Sequence, residues 1–383
     1  MTETADIVVI GAGALGCSTA YHLGTLGAKN VVVIDKGAIC SGETRKSGGF
    51  VQTHWVSVDE VRLINKSRDL FLEWEDTFGA DCAYIETGYL HVTGEENEPT
   101  VRQTHEMLLA EGIDSQWMNQ RELKRFQPIL NVRDLTGGVF EPRSGWANPL
   151  LATQTMARAA QSKGVSFEQG VSVRQISHRS GKIEGVETDK GYISTRCVVL
   201  CAGPWTPLLH PLATQPLPIK AKRGQVCYVN RPAGLPKKEL CFYDEVTGLY
   251  THTDGETNLL GIDYDFTDVW DPNRYNRELD SEYAALALDA LGHRFPVLCA
   301  AHLIRGVVGL YDFTPDGHPI VDGPLGLEGY YVAAGFGGAG FKSSPMTGLG
   351  MAELVLKGKA ESVNLDFLSF SRFRDSDHWI GWD

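Results

Sequence analysis

The 383-residue chain has no apolar run of the roughly 18 residues needed to cross a bilayer, so no membrane span is expected. It is short of positive charge: 35 Lys and Arg against 48 Asp and Glu leave a net charge of −13. That sign excludes binding to a phosphate backbone as a main task, so no nucleic-acid partner is expected. It also gives no attraction to an anionic membrane surface. The N-terminus lacks a charged-then-apolar leader, which predicts no signal peptide and a cytoplasmic protein. None of the eight cysteines forms a CxxC pair, and no His/Cys cluster has metal-ligand spacing. Buried reduced thiols and no metal are the expectation. Internal repeats and low-complexity tracts are lacking as well. At this length, with 43% hydrophobic and 22% charged residues, two globular domains are expected.

What the chain does have begins at Asp6-Ile7-Val8-Val9-Ile10, which reads as a buried parallel strand. Gly11, Gly13 and Gly16 follow as a G-x-G-x-x-G turn, then Cys17 to Leu23 as a helix. A second apolar run, Val31 to Ile34, ends in Asp35, 19 residues after Gly16. Strand, glycine turn, helix, strand and acid together form a dinucleotide fingerprint. Gly11 permits the tight turn, Gly13 the approach of a pyrophosphate, and Gly16 close packing of helix on strand. The helix N-terminus offers free N–H groups to phosphate. Asp35 can accept both ribose hydroxyls and would repel a 2′-phosphate.

The loop Lys36 to Phe50 is rich in Gly, Ser and Thr. Placed after the ribose acid, it is expected to follow the pyrophosphate towards a redox ring. Helices are predicted over Asp59–Phe78, Glu98–Glu111, Pro149–Lys163 and about Ser281–Gly292, and a strand over Gly88–Val92. Residues 133–149, with five Gly and Pro, read as a loop. Strands Val165–Glu168 and Gly170–Ile176 and a hairpin over 183–195 lead to the buried strand Cys197–Cys201 and the turn Ala202-Gly203-Pro204-Trp205. Strands Gln225–Val229, Leu249–His252 and Leu259–Ile262 mark a different domain. Strand Gly329–Ala334 enters a glycine-rich turn, Gly335 to Lys342, before a helix expected to start at about Ser344 with Pro345 in its first turn.

These segments, with Thr314-Pro315-Asp316-Gly317-His318-Pro319, resemble the D-amino-acid-oxidase-like FAD superfamily, and most of all its sarcosine oxidase branch, including β-subunit-type amine oxidases. The resemblance runs from residue 6 to about 373. It implies an α/β fold: a Rossmann-like FAD-binding domain of DAO type with a second α+β substrate domain built on an antiparallel sheet. The corresponding segments are 1–84, 146–218 and 313–373 for the FAD domain and 85–145 and 219–312 for the substrate domain, with a tail, 374–383, carrying Trp379 and Trp382 that would suit a subunit contact.

Position by position, the resemblance implies that Gly11, Gly13, Ala14, Leu15, Gly16, Asp35 and Lys36 bind the ADP part of FAD. Ser41, Gly42, Thr44, Arg45, Ser47, Gly48 and Gly49 pass the pyrophosphate and flavin. Val173 meets adenine, and Ala202, Gly203 and Trp205 form the second FAD contact. Gly309, Gly335, Gly338, Gly340, Phe341 and Lys342 complete the flavin site. Lys342 is expected to pair with a substrate carboxylate. Tyr250 and Tyr311, expected to act in catalysis with it, line the substrate pocket, with His252 and Asp263 on the sheet facing the flavin. His54 and Trp55 are expected to pack, and His318 to lie in a turn near the flavin.

Departures from the branch carry information too. Gly309 stands where monomeric sarcosine oxidases have the flavin-linking Cys, so non-covalent FAD is expected. Residues Ser144 to Asn148 lack the His that attaches a second flavin in β subunits. Leu259 to Asp263 lack the lysine that activates oxygen, which weighs against oxygen as acceptor. The activity implied is oxidation of the CH–NH bond of a small amino acid, foremost a secondary or N-methyl amino acid such as sarcosine, by hydride transfer to FAD and imine hydrolysis. The alternatives are a primary amino acid or proline, or a flavin subunit needing a partner protein. The electron acceptor is oxygen or another group, and a homo- or hetero-oligomer is compatible.

Overall fold

The computed structural model describes residues 3–373 except 213–214, 233–234, 236–239 and 264–265. The tail expected to make a subunit contact, 374–383, lies outside the described residues.

Short runs of Val and Ile flanked by glycine make the central six-stranded sheet. Its order is Ile320–Asp322, Tyr330–Ala334, Val198–Leu200, Ile7–Ile10, Val31–Asp35, Ser166–Gln169. All neighbours pair in parallel except the edge strand Ile320–Asp322. Both faces are covered, which is why the strands read as unbroken apolar runs. One face, with Val9, Val33, Val199 and Ala333, packs on helices Ala14–Thr25, Pro149–Ser162 and Gly340–Lys357 through Cys17, Ala20, Met156 and Met351. The other, with Val8, Ile10, Val32, Leu200 and Val332, packs on a three-stranded antiparallel sheet, Val173–Arg179, Lys182–Thr188 and Gly191–Ser194.

A second sheet of nine strands draws on residues 89–141 and 220–313. Its order is Thr267–Val269, Lys220–Asn230, Thr257–Ile262, Leu249–Asp254, Cys241–Asp244, Tyr89–Thr93, Gly137–Glu141, Gln116–Asn119, with Leu303–Phe313 along the other side of Lys220–Asn230. Its pairs are antiparallel except Cys241–Asp244 with Tyr89–Thr93, which run parallel. Helix Ser281–Arg294 covers one face, burying Tyr283, Ala287 and Leu291 against Cys227, Leu249 and Leu260. At its end Arg294 is fully buried and bonds Asp244 at 2.7 Å and Asp134 at 2.8 Å. This clamp fixes the strand that carries Tyr243.

Three local expectations are corrected. Residues 133–149 are not a loop: Gly137–Glu141 and Gly145–Trp146 are strands. Their glycines serve close packing, since a Cβ on Gly138 would lie 2.6 Å from the His91 carbonyl oxygen and one on Gly145 2.0 Å from that of Ile85. The helix expected over Asp59–Phe78 is two, Val58–Leu72 and Trp74–Phe78, broken at Glu73. The last helix starts at Gly340, not Ser344, with Pro345 inside it. Proline cannot donate to the Phe341 carbonyl, and the Ser344 hydroxyl does so instead at 2.9 Å.

Candidate active site

A single continuous cavity of about 1360 Å³ runs from Val173 and Trp205 at the ends of the six-stranded sheet to His91 and Glu245 on the large sheet. Ligands in open α/β sheets bind beyond the carboxyl ends of the strands, and this cavity begins there.

Backbone makes its first half. Gly11 has φ +107°, and a Cβ there would lie 2.3 Å from the Cys201 carbonyl oxygen. A Cβ on Gly16 would lie 1.8 Å from the Gly11 carbonyl oxygen. These two glycines seat helix Ala14–Thr25 so that its N-terminus faces the cavity, with no acid in the first turn. The Thr44 hydroxyl accepts from Ala14 N–H at 3.2 Å, tying the following loop to that N-terminus. The Asp35 carboxylate is aimed by two backbone donors, Ala12 N–H at 2.8 Å and Gly37 N–H at 2.7 Å. Beside it the Lys36 ammonium lies 3.7 Å from the centre of the Trp205 ring. Asn273, from the other domain's chain segment, accepts from Lys36 at 3.2 Å and from the Trp205 indole N–H at 2.8 Å.

The flavin end is set by two carboxylates. Glu43 accepts from Leu310 N–H at 2.7 Å and pairs with Lys46 at 2.9 Å, and Lys46 donates to the Tyr275 hydroxyl at 2.9 Å. Asp312, buried and pushed up to about 6 by that burial, accepts from Gly335 N–H at 2.7 Å and so shapes the turn Gly335–Gly338. Helix Gly340–Lys357 then begins with no acidic residue and no side-chain cap in its first turn, leaving its N–H groups for an anionic ring edge. Sheet-end glycines, an aimed acid and two helix N-termini free of acidic residues on one cavity fit FAD. A Cβ on Gly309 would lie 2.8 Å from Glu43 and 3.1 Å from Lys46. That position is filled from the side, which is compatible with non-covalent binding.

Side chains make the second half. Lys342 is 5% exposed, its ammonium 4.8 Å from the Trp55 ring centre. Burial lowers it to about 8, against the pull of Glu60 and Glu141. Among the described residues it has no hydrogen-bond acceptor. Tyr250 and Tyr311 stand side by side, both raised by burial. Their rings lie over glycines: a Cβ on Gly261 would meet Tyr250 at 2.2 Å and one on Gly224 would meet Tyr311 at 2.2 Å. Asp263 accepts from the Tyr243 hydroxyl at 2.5 Å and is raised by burial.

Most expected residues meet on this wall: Gly11, Gly13, Ala14, Leu15, Asp35, Lys36, Ser41, Gly42, Thr44, Ser47, Gly48, Val173, Ala202, Gly203, Trp205, Gly309, Gly338, Gly340, Phe341, Lys342, Tyr250, Tyr311 and Asp263. Gly16, Arg45, Gly49, Gly335 and His252 do not line it. Gly16 and Gly49 serve packing, a Cβ on Gly49 lying 2.1 Å from the Ala147 carbonyl oxygen. Gly335 acts through its N–H to Asp312, and Arg45, in the turn Thr44–Lys46, is not among the residues that line the cavity. His252 is a correction: its Nε2 bonds the Gly48 carbonyl oxygen at 2.8 Å and its ring stacks on Trp146 at 4.4 Å, so it holds the flavin loop from behind.

Residues not expected here are Gln52, Glu60, Tyr89, His91, Tyr243 and Glu245, and His54, Trp55 and His318 line the cavity too. His54 stacks on His91 with ring centres 4.0 Å apart, and His91 Nε2 bonds Glu245 at 2.8 Å. Burial pushes His91 down to about 3, so that bond comes from a neutral imidazole. The sequence signal was the alternation Gln52, His54 and Tyr89, His91, which puts each pair on one face of an extended segment. No group of three or more His, Cys, Asp or Glu among the described residues is arranged to hold a metal, and no helix among them is long and apolar enough to cross a membrane.

Residues 6–354 match the family model for FAD-dependent oxidoreductases of the DAO type. The chain is 28% identical over 397 residues to human mitochondrial sarcosine dehydrogenase, covering 99% of this chain but 43% of that protein. It thus spans less than half the length of that relative. It is 26% identical to sarcosine oxidase subunit beta of Rhodobacter capsulatus, covering 92% of this chain and 85% of that one. Among solved structures it is similar to L-proline dehydrogenase from P. horikoshii, with a TM-score of 0.90, 26% identity and coverage of 98% and 99%. Together with the cavity's two acid-free helix N-termini and aimed acid, these matches place the chain in the DAO family of FAD-dependent oxidoreductases.

Proposed function

We propose that the protein oxidises the C–N bond of a small amino acid, foremost a secondary or N-methyl amino acid such as sarcosine, with a primary amino acid or proline as the alternative. One observation carries the reading: Lys342, a buried cation without a hydrogen-bonded anion, stands where the flavin end of the cavity meets the substrate wall. A substrate carboxylate there would gain a charge-assisted hydrogen bond of about 1.5–3 kcal/mol. The names of the relatives, which are sarcosine and proline enzymes, support the same class.

FAD, when bound, would supply the acceptor for a hydride equivalent from the carbon beside nitrogen, and the resulting imine is open to hydrolysis by water. The protein's residues do the rest. Lys342 fixes the carboxylate end. Tyr250 and Tyr311, held over their glycines, bound the reacting carbon. Asp263, steadied by Tyr243, faces the amine and favours its approach as the ammonium form; its carboxylate can then take the amine proton, leaving the lone pair that the reaction needs. The N-terminus of helix Gly340–Lys357 carries no acidic residue and would favour negative charge on a flavin held there.

The test is anaerobic mixing of the yellow protein with sarcosine, proline, N-methyl and primary amino acids. Bleaching by one class names the substrate, and the rate of recolouring on air separates an oxidase from a dehydrogenase. Bleaching by none rejects the reading for the isolated chain. It would turn attention to a partner polypeptide, which the relative named a beta subunit favours.

A further inference from the structure

The substrate half of the cavity holds more negative charge than a simple amino acid needs. Lys342 answers one carboxylate and Asp263 one amine. Glu60, which also lines the cavity, lies 3.2 Å from His318, and Glu245 is left over. It lines the same cavity, just past the end of strand Cys241–Asp244. Its only close partner among the described residues is His91, whose imidazole is kept neutral by burial. A neutral N–H orients the carboxylate without cancelling its charge. The groups packed around it add no cation: the His54 ring stacks behind His91, Tyr243 lies 4.8 Å from His91 ring to ring, and Tyr89 reaches His91 Nδ1 at 3.3 Å.

A second observation points the same way. Gln52 is 8% exposed and lines this cavity, yet its Oε1 has no donor, whereas the neighbouring His54 Nδ1 faces Glu141 at 3.7 Å. Buried acceptors without donors are costly unless a ligand supplies the donors. Sarcosine would leave this end of the cavity empty and its acceptors unanswered.

We propose that the substrate is an amino acid bearing a second cationic group, a side-chain ammonium or guanidinium, received by Glu245, with Gln52 as a neutral acceptor on the wall of the same cavity. In such a substrate the carboxylate, the amine and the distal cation would have Lys342, Asp263 and Glu245, which line the one cavity, as their partners. This inference rests on the amino-acid reading above and narrows it to basic substrates. Glu245 is a specificity residue and takes no part in the bond that breaks.

Arginine and citrulline are near isosteres that differ in this one charge. With the FAD-loaded protein kept anaerobic, dissociation constants for racemic arginine and racemic citrulline are read from the change in the flavin spectrum. Arginine is expected to bind about tenfold or more tightly, the worth of one charge-assisted hydrogen bond. In Glu245→Gln the ratio is expected to fall towards one. Equal affinities in the wild type, or an unchanged ratio in Glu245→Gln, overturn the proposal. If Glu245→Gln fails to fold, the wild-type ratio and its loss at high salt still decide it. Bleaching by arginine and citrulline alike sinks only this inference. A spectrum unmoved by these two and by sarcosine and proline sinks the amino-acid reading as well.

Discussion

The two ends of the cavity are built from different material. The cofactor end is backbone: glycines whose absent Cβ atoms leave room, helix N-termini, and two acids, Asp35 and Asp312, that aim N–H groups. The substrate end is side chain: a lysine, tyrosines, histidines and carboxylates carried by strands and helices far apart in the chain. Backbone geometry can serve one cofactor in many proteins, because it recognises phosphate and ring edges common to them all. Side chains on a rigid sheet can change one by one, and they can set which substrate enters.

If that division holds, damage at each end should read out differently. The largest effect is expected from Gly16→Val. With a Cβ placed 1.8 Å from a carbonyl oxygen, helix Ala14–Thr25 must shift, and the purified protein should lack FAD absorbance altogether. Next is Arg294→Met. It leaves Asp244 buried without its partner and should cost about 3–5 kcal/mol in urea unfolding. That loss falls on the strand bearing Tyr243, not on the nucleotide site.

Lys342→Met strikes the substrate end alone. The dissociation constant for carboxylate ligands should rise tenfold or more, with FAD content unchanged, from the loss of about 1.5–3 kcal/mol. A pH titration sharpens the same point. Burial lowers Lys342 to about 8, so its ammonium is present below that pH and lost above it. Carboxylate affinity in the wild type should therefore be flat below pH 8 and fall above it, while Lys342→Met shows no such step. The smallest effect is expected from Asn273→Ala. It removes the acceptor shared by Lys36 and Trp205 and should speed FAD release by several-fold at most, since the bonds are partly exposed.

The same division explains what the sequence revealed. Gly11 to Asp35 lie within 25 residues, and each has a backbone reason to be there, so the nucleotide site was legible. The start of the last helix was not, because Pro345 is the usual mark of a first turn and here sits a turn later, excused by the Ser344 hydroxyl. Residues 133–149 misled for a related cause: glycines that admit a neighbouring strand look like glycines of a loop. His252 alternates correctly with Tyr250 along its strand, yet faces Gly48 and Trp146. His91 and Glu245 stayed hidden because their meeting depends on the parallel pairing of Tyr89–Thr93 with Cys241–Asp244, partners 152 residues apart that no local pattern joins.

One comparison probes the role given to Lys342 most directly. The FAD-loaded protein is mixed anaerobically with N-methyl amino acids and, in parallel, with the same amines lacking the carboxylate. Bleaching by the amino acids, with the carboxylate-free amines slower by tenfold or more at equal concentration, is the expected result. Equal bleaching by both sets would show that no carboxylate is held at Lys342 and would contradict the assignment.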